Sequence, residues 1–99
     1  MSKTEQHEIT WTSGHLTIRI GITFDTSWGV VEHLVVESIS PERAKLPITG
    51  TGYRSHFVRP GTVAAYGGPV AATIALLDEA AASKEWQDYV ASARQGSLF

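Results

Sequence analysis

The sequence predicts an α+β fold: an antiparallel β-meander of three to four strands (about 8–12, 15–24, 30–39 and 53–58) packed on C-terminal helices (about 69–82 and 84–95). Three observations carry that expectation. Apolar residues alternate with polar or small ones from Leu16 to Phe24, the period of a half-buried strand. Apolar residues recur at helical spacing after Pro69. The 99 residues fit one domain, expected over residues 1–99, with no room for two.

The first strand is read from Ile9 and Trp11, which alternate with Glu8 and Thr10, and Ser13-Gly14 supplies a two-residue turn. The second is the alternation Leu16, Ile18, Ile20, Ile22, Phe24. Asp25 to Gly29 reads as a loop with Trp28 at its tip, and Val30 to Ile39, rich in β-branched residues, as the third strand. These turns pair Ile9 with Ile18, Trp11 with Leu16, Phe24 with Val30, Ile20 with Leu34 and Ile18 with Val36. One face then collects Ile9, Trp11, Leu16, Ile18, Ile20, Ile22, Phe24, Leu34 and Val36. The other places Glu8 beside Arg19, and Thr10 beside Thr17 and Glu37. A slip of one residue would mix the two sets, which is how register is normally specified.

An apolar sheet face needs a cover, and the C-terminal third supplies it. Gly67-Gly68-Pro69 is a helix-start signal, because proline is well tolerated at the first helical position. Val70, Ile74, Leu77 and Ala81 follow at helical spacing, with Asp78 and Glu79 turned away. Ser83 is a candidate cap for a segment carrying Trp86, Tyr89, Val90 and Ala93, with Gly96 ending it. The pattern fits one bent helix or two. Between sheet and helices, alternation over 53–58 places a fourth strand with Tyr53 and Phe57 inward and Arg54 and His56 outward. The Pro/Gly-rich stretch before it then reads as an ordered loop whose path is open, as is the strand order once the fourth strand is added.

Composition excludes several ordinary functions. The apolar share of 42% and charged share of 18% are globular, not disordered. A net charge of −2 lacks the basic excess that phosphate neutralisation demands, so nucleic acid is a disfavoured partner. With no cysteine, disulfides and thiolate metal sites are excluded. Residues 1–8 lack the apolar run of a signal peptide and no stretch approaches the ~20 apolar residues of a membrane span, so a cytoplasmic location is expected.

The most prominent polar cluster is Tyr53-Arg54-Ser55-His56, with Arg59 nearby. Arg54 and His56, two residues apart on a strand, can hold a carboxylate or phosphate, or grip an acidic partner. The bland reading is a solvated strand face. Gly67-Gly68-Pro69 offers backbone amides to an anion, but the lysine and Ser/Thr of a phosphate loop are missing. His7, His15, His33 and His56 do not converge and have no His-x-x-x-His spacing, so no metal and no cofactor is expected. Ser55 and His56 face opposite sides of a strand, no Gly-x-Ser-x-Gly elbow is present, and the carboxylates Glu32/Glu37 and Asp78/Glu79 show no convergence. An enzyme is unsupported. Val31, Val35 and Ile39 form an apolar outer face on the third strand, to be covered by residues 40–60, by Ser97-Leu98-Phe99, by a partner or by a second copy of the chain. Trp28 is a further candidate contact anchor.

The run Pro41 to Phe57 (PERAKLPITGTGYRSHF), then Gly67-Gly68-Pro69, Leu77 to Ala81 (LDEAA) and Trp86, resembles small proteins of no assigned activity encoded on proteobacterial plasmids and integrative elements. The likeness covers roughly the C-terminal 60% of the chain and is most specific from Leu46 to Phe57. It implies a setting and no catalytic residues: accessory genes of mobile DNA often encode small proteins that bind and block host machinery. The expected function is a non-enzymatic protein-binding module using Tyr53, Arg54 and His56 with the neighbouring loop; the partner's identity is open, and a homodimer is one option. The alternative is a small-molecule, anion-binding or enzymatic domain built on Arg54, Ser55 and His56.

Overall fold

The computed structural model describes residues 4–96, with side chains through residue 92. The strands are β1 (Thr4–Ser13), β2 (Leu16–Asp25), β3 (Glu32–Ser40) and β4 (Tyr53–Val58), and the helices α1 (Thr62–Ala65), α2 (Pro69–Ala81) and α3 (Lys84–Gly96). The sheet is a fully antiparallel meander in the order β1-β2-β3-β4. No helix among the described residues is long and apolar enough to cross a membrane.

Period two assigns the faces correctly, but both hairpins sit in a different register. Ile9 pairs with Ile20 and Trp11 with Ile18, because the tight turn is Gly14-His15 and not Ser13-Gly14. Glycine takes the first central position at φ 59°, the backbone that a type II′ hairpin turn requires there. Phe24 pairs with Leu34 and Ile22 with Val36, so the second connection spans 26–31 and Val31 lies before β3. Both shifts are even, and an even shift leaves every side chain on its face. Glu8 now lies opposite Gly21, and its carboxylate reaches Arg19 diagonally at 2.7 Å. Between Arg19 and Ile20 the β2–β3 register slips at a bulge, placing Ile39 Cδ1 3.0 Å from where a Cβ on Gly21 would stand.

Ile18, Ile20, Ile22, Phe24, Leu34 and Val36 are buried under the helices, joined by Trp11 of β1, Val63 of α1, Ala72 and Leu77 of α2, and Trp86 of α3. The helical segments are two, not one bent helix: Ser83 breaks them and caps α3, its hydroxyl accepting from Trp86 N at 3.2 Å. On α2 the inward stripe is Ala72, Thr73 and Leu77, whereas Ile74 faces outward. Asp78 is not turned away: its carboxylate accepts from Trp11 Nε1 at 3.0 Å. In return Trp86 Nε1 donates to Ser13 Oγ at 2.9 Å, and the two indoles lie 5.9 Å apart.

The loop over residues 41–52 is ordered and lies on the helix side. Leu46 is buried in the core and exchanges two backbone hydrogen bonds with Thr49. Ser38, buried at a core-facing position of β3, anchors the loop twice: its hydroxyl donates to Ala44 O at 2.6 Å and its N–H to Gly52 O at 2.7 Å. Residues 41–52 therefore do not cover Val35 and Ile39; Ser97-Leu98-Phe99 lie outside the described residues. Gly52 is held at φ 75°, where a Cβ would fall 2.6 Å from the backbone carbon of Arg43. Gly52→Ala is expected to cost about 2 kcal/mol or more in urea unfolding. Gly50→Ala, with open space around its Cβ position, should stay within about 0.5 kcal/mol. Equal small losses would show that the loop does not pack as described.

Candidate functional site

Because Leu34 and Val36 of β3 face the helices, their partners His56 and Arg54 stand on that same side of the sheet. This corrects the sequence expectation for β4: Arg54 and His56 do share a side, but it is the helix side, and Tyr53 and Phe57 point outward. Tyr53, Ser55 and Phe57 join His33, Val35 and Glu37 of β3 on the face opposite the helices.

An aromatic cluster forms on that outer face. His33 and Phe57, directly opposed across β3 and β4, stack with ring centres 4.3 Å apart and planes 4° from parallel. Trp28 meets both edge-on, 5.5 Å from Phe57 and 5.9 Å from His33. The loop that delivers Trp28 is folded by Asp25, whose Oδ1 accepts from both the backbone N–H and the hydroxyl of Ser27, at 2.8 and 2.6 Å. Those two bonds, the hydroxyl's first, hold the Asp25 carboxyl below its usual range. His33 Nε2 and Ser55 Oγ are hydrogen-bonded at 2.5 Å, which fixes the imidazole against Phe57. Trp28 nevertheless remains 55% exposed, Phe57 57% and neighbouring Val30 83%.

Of the residues singled out in the sequence, the structure brings Trp28 and Ser55 into this cluster and leaves Tyr53 exposed at the other end of β4. Val35 shares the face, half-buried between Thr23 and Ser55, and Ile39 lies further along β3. Arg54 and His56 are on the other side, and Arg59 is exposed beyond the end of β4. The anion-holding trio Arg54, Ser55 and His56 is therefore split by the sheet. Sequence reasoning missed His33 and Phe57. The signal was weak: each alternating set of β4 contains both polar and apolar members, so only pairing with β3 decides which set is inward.

On the helix side, His56 lines an apolar recess of about 130 Å³ with Leu34, Val58, Val63, Ala72 and Leu76. Burial first, and the Arg54 guanidinium second, pushes the His56 imidazole below its ordinary 6.5. Ser55 and His33 have the spacing of a nucleophile and a base, but they lie on open sheet with Phe57 stacked on the imidazole, and neither lines this recess.

A family model described as the KlcB third domain matches residues 4–86, which takes in all four strands, α1, α2 and the start of α3. The match thus extends through the N-terminal hairpin, beyond the C-terminal stretch that carries the plasmid-protein resemblance. No curated protein and no solved structure matches the chain.

The depressed His56 pKa has a stability consequence of definite sign. Between its folded value and 6.5 the unfolded chain binds the proton and the folded chain does not, so this group's contribution is complete above 6.5 and falls as pH is lowered below it. Thermal melts of wild type and His56→Leu from about pH 7.5 to about pH 5 should show the wild type losing ground on the variant as pH falls. A constant or widening advantage for the wild type would contradict the buried, neutral imidazole.

Proposed function

We propose that this chain, which belongs to the KlcB third-domain family, is a non-enzymatic protein-binding module whose contact surface is the outer face of its sheet, centred on Trp28, His33 and Phe57. The observation that carries the proposal is the exposure of Trp28 and Phe57, packed with the half-buried His33 ring and beside Val30, on a face that no helix among the described residues covers. Aromatic anchors dominate the energetics of protein contacts, and exposed apolar patches on a folded domain mark interfaces. Rings already packed against each other lose little side-chain freedom on binding, which lowers the cost of association. The bidirectional anchoring of the loop by Asp25 and of the imidazole by Ser55 holds the cluster in one arrangement. The resemblance to plasmid and integrative-element proteins supports a specific version: a cytoplasmic accessory protein of mobile DNA that inhibits or modulates host machinery.

The test is affinity capture of the tagged chain from a bacterial lysate, read by mass spectrometry, beside Trp28→Ala/Phe57→Ala and the opposite-face variant Arg54→Ala. A stoichiometric partner should be captured by wild type and Arg54→Ala and lost by the double variant. The melting temperature of the double variant should fall by no more than about 4–8 °C, the equivalent of about 1 kcal/mol in a chain of this size. Capture that survives the double substitution would move the contact surface elsewhere. Loss of the fold would recast the cluster as structural.

A further inference from the structure

We propose that the free edge of β4 docks an extended segment of the partner protein as a fifth, antiparallel strand, and that this segment carries an apolar residue two positions before an acidic one. The inference rests on the protein-binding reading above and names the mode of contact and the chemistry of the partner. One hydrogen bond sets the direction of the edge groups. Ser38 N–H donates to Gly52 O at 2.7 Å, and successive residues of a strand turn their backbone groups to opposite sides. Arg54, His56 and Val58 therefore face β3, whereas Tyr53, Ser55 and Phe57 turn their N–H and C=O groups out of the sheet. Tyr53 O is met by the hydroxyls of Thr49 and Thr51, at 3.0 and 3.2 Å. The backbone N–H and C=O groups of Ser55 and Phe57 have no hydrogen-bond partner among the described residues. Two donors and two acceptors at two-residue spacing are what an added strand pairs. β4 contains no proline and its pairing with β3 no bulge, two of the devices that blunt an edge.

The side chains flanking the edge specify the rest. The residue opposite His56 points to the helix side, where His56 and Val58 line the recess of about 130 Å³ with Val63, Ala72 and Leu76. No residue of that lining carries a formal charge, so an aliphatic side chain suits this position and a charged one does not. The residue opposite Arg54 is the acid. Arg54 is exposed, with no carboxylate at ion-pair distance among the described residues, and a guanidinium takes a carboxylate through two parallel hydrogen bonds. Antiparallel order brings the apolar residue first. The residue before it stands opposite Phe57 on the outer face, where an aromatic or β-branched side chain pairs with the ring and extends the Trp28 cluster. β4 of a second copy does not meet Arg54, because residues 53–58 include no carboxylate. β1, the other edge, carries Glu5, Gln6, His7 and Glu8 along half its length and borders neither the recess nor the rings.

The experiment pans a random heptapeptide library displayed on phage against the full chain, then studies the enriched sequences as free peptides. They should share an apolar residue two positions before Asp or Glu, and in Arg54→Glu the acid preference should give way to Lys or Arg. A saturating peptide should slow amide hydrogen exchange at Ser55 and Phe57, which exchange freely in the chain alone. N-methylation of the peptide on either side of the apolar residue should weaken binding about ten-fold, the equivalent of one hydrogen bond. N-methylation of the apolar residue itself, whose N–H points away from β4, should leave affinity unchanged. Failure to enrich a saturable binder, or equal losses at all three N-methyl positions, would overturn the proposal. So would protection of the two amides without peptide, which would show the edge already paired with a copy of the chain. If Arg54→Glu does not fold, the N-methyl pattern on the wild type decides. The selection needs no host partner, so it stands apart from lysate capture: a captured partner that leaves the Ser55 and Phe57 amides unprotected keeps the outer-face reading and overturns this one.

Discussion

The reciprocal clamp between Trp11 and Trp86 is the contact on which the rest of the molecule depends. An indole is the largest apolar side chain available, but burying it leaves one N–H to be paired. Here each indole finds its acceptor on an element of the opposite layer: Trp11 of β1 on Asp78 of α2, Trp86 of α3 on Ser13 of β1. The rings pack against each other at a 45° tilt while their N–H groups tie sheet to helices in both directions. This fixes which side of the meander the helices occupy, and with it which side stays bare.

From that choice the two unlike faces of the sheet follow. β4 feeds both, since period two sends Ser55 and Phe57 to the outer face and His56 and Val58 to the recess. The outer surface carries the exposed rings of Trp28 and Phe57. The inner space is a small recess whose lining carries no formal charge. Neighbouring residues in the chain thus line surfaces of different character, separated by the thickness of one sheet.

The sequence made the face assignments of β1, β2 and β3 legible because a strand with one buried side encodes parity in every second residue. Absolute register was not legible in the same way. Parity tolerates any even shift, and choosing among even shifts depends on the backbone of single turn residues such as Gly14. The bounds of α2 and α3 emerged from Gly68-Pro69 and Ser83, which are strong local signals. α1, of four residues, is too short to show periodicity. Asp78 seemed solvent-facing because a helical stripe records only burial, whereas its role is to meet a donor from a distant strand. The aromatic cluster depended on the parity of β4, where Tyr53, Ser55 and Phe57 look no more or less apolar than their neighbours.

The placement of the three tryptophans has a photophysical corollary. Trp11 and Trp86 lie in the core, away from solvent, whereas Trp28 stands at the surface beside an imidazole. A quencher dissolved in the solvent will therefore reach one indole and spare two, and the red edge of the emission band belongs mainly to Trp28. The two core indoles shift colour when the fold opens. The same unlabelled chain thus carries separate optical signals for the surroundings of its outer face and for loss of its core, distinguishable by wavelength and by accessibility in a single cuvette.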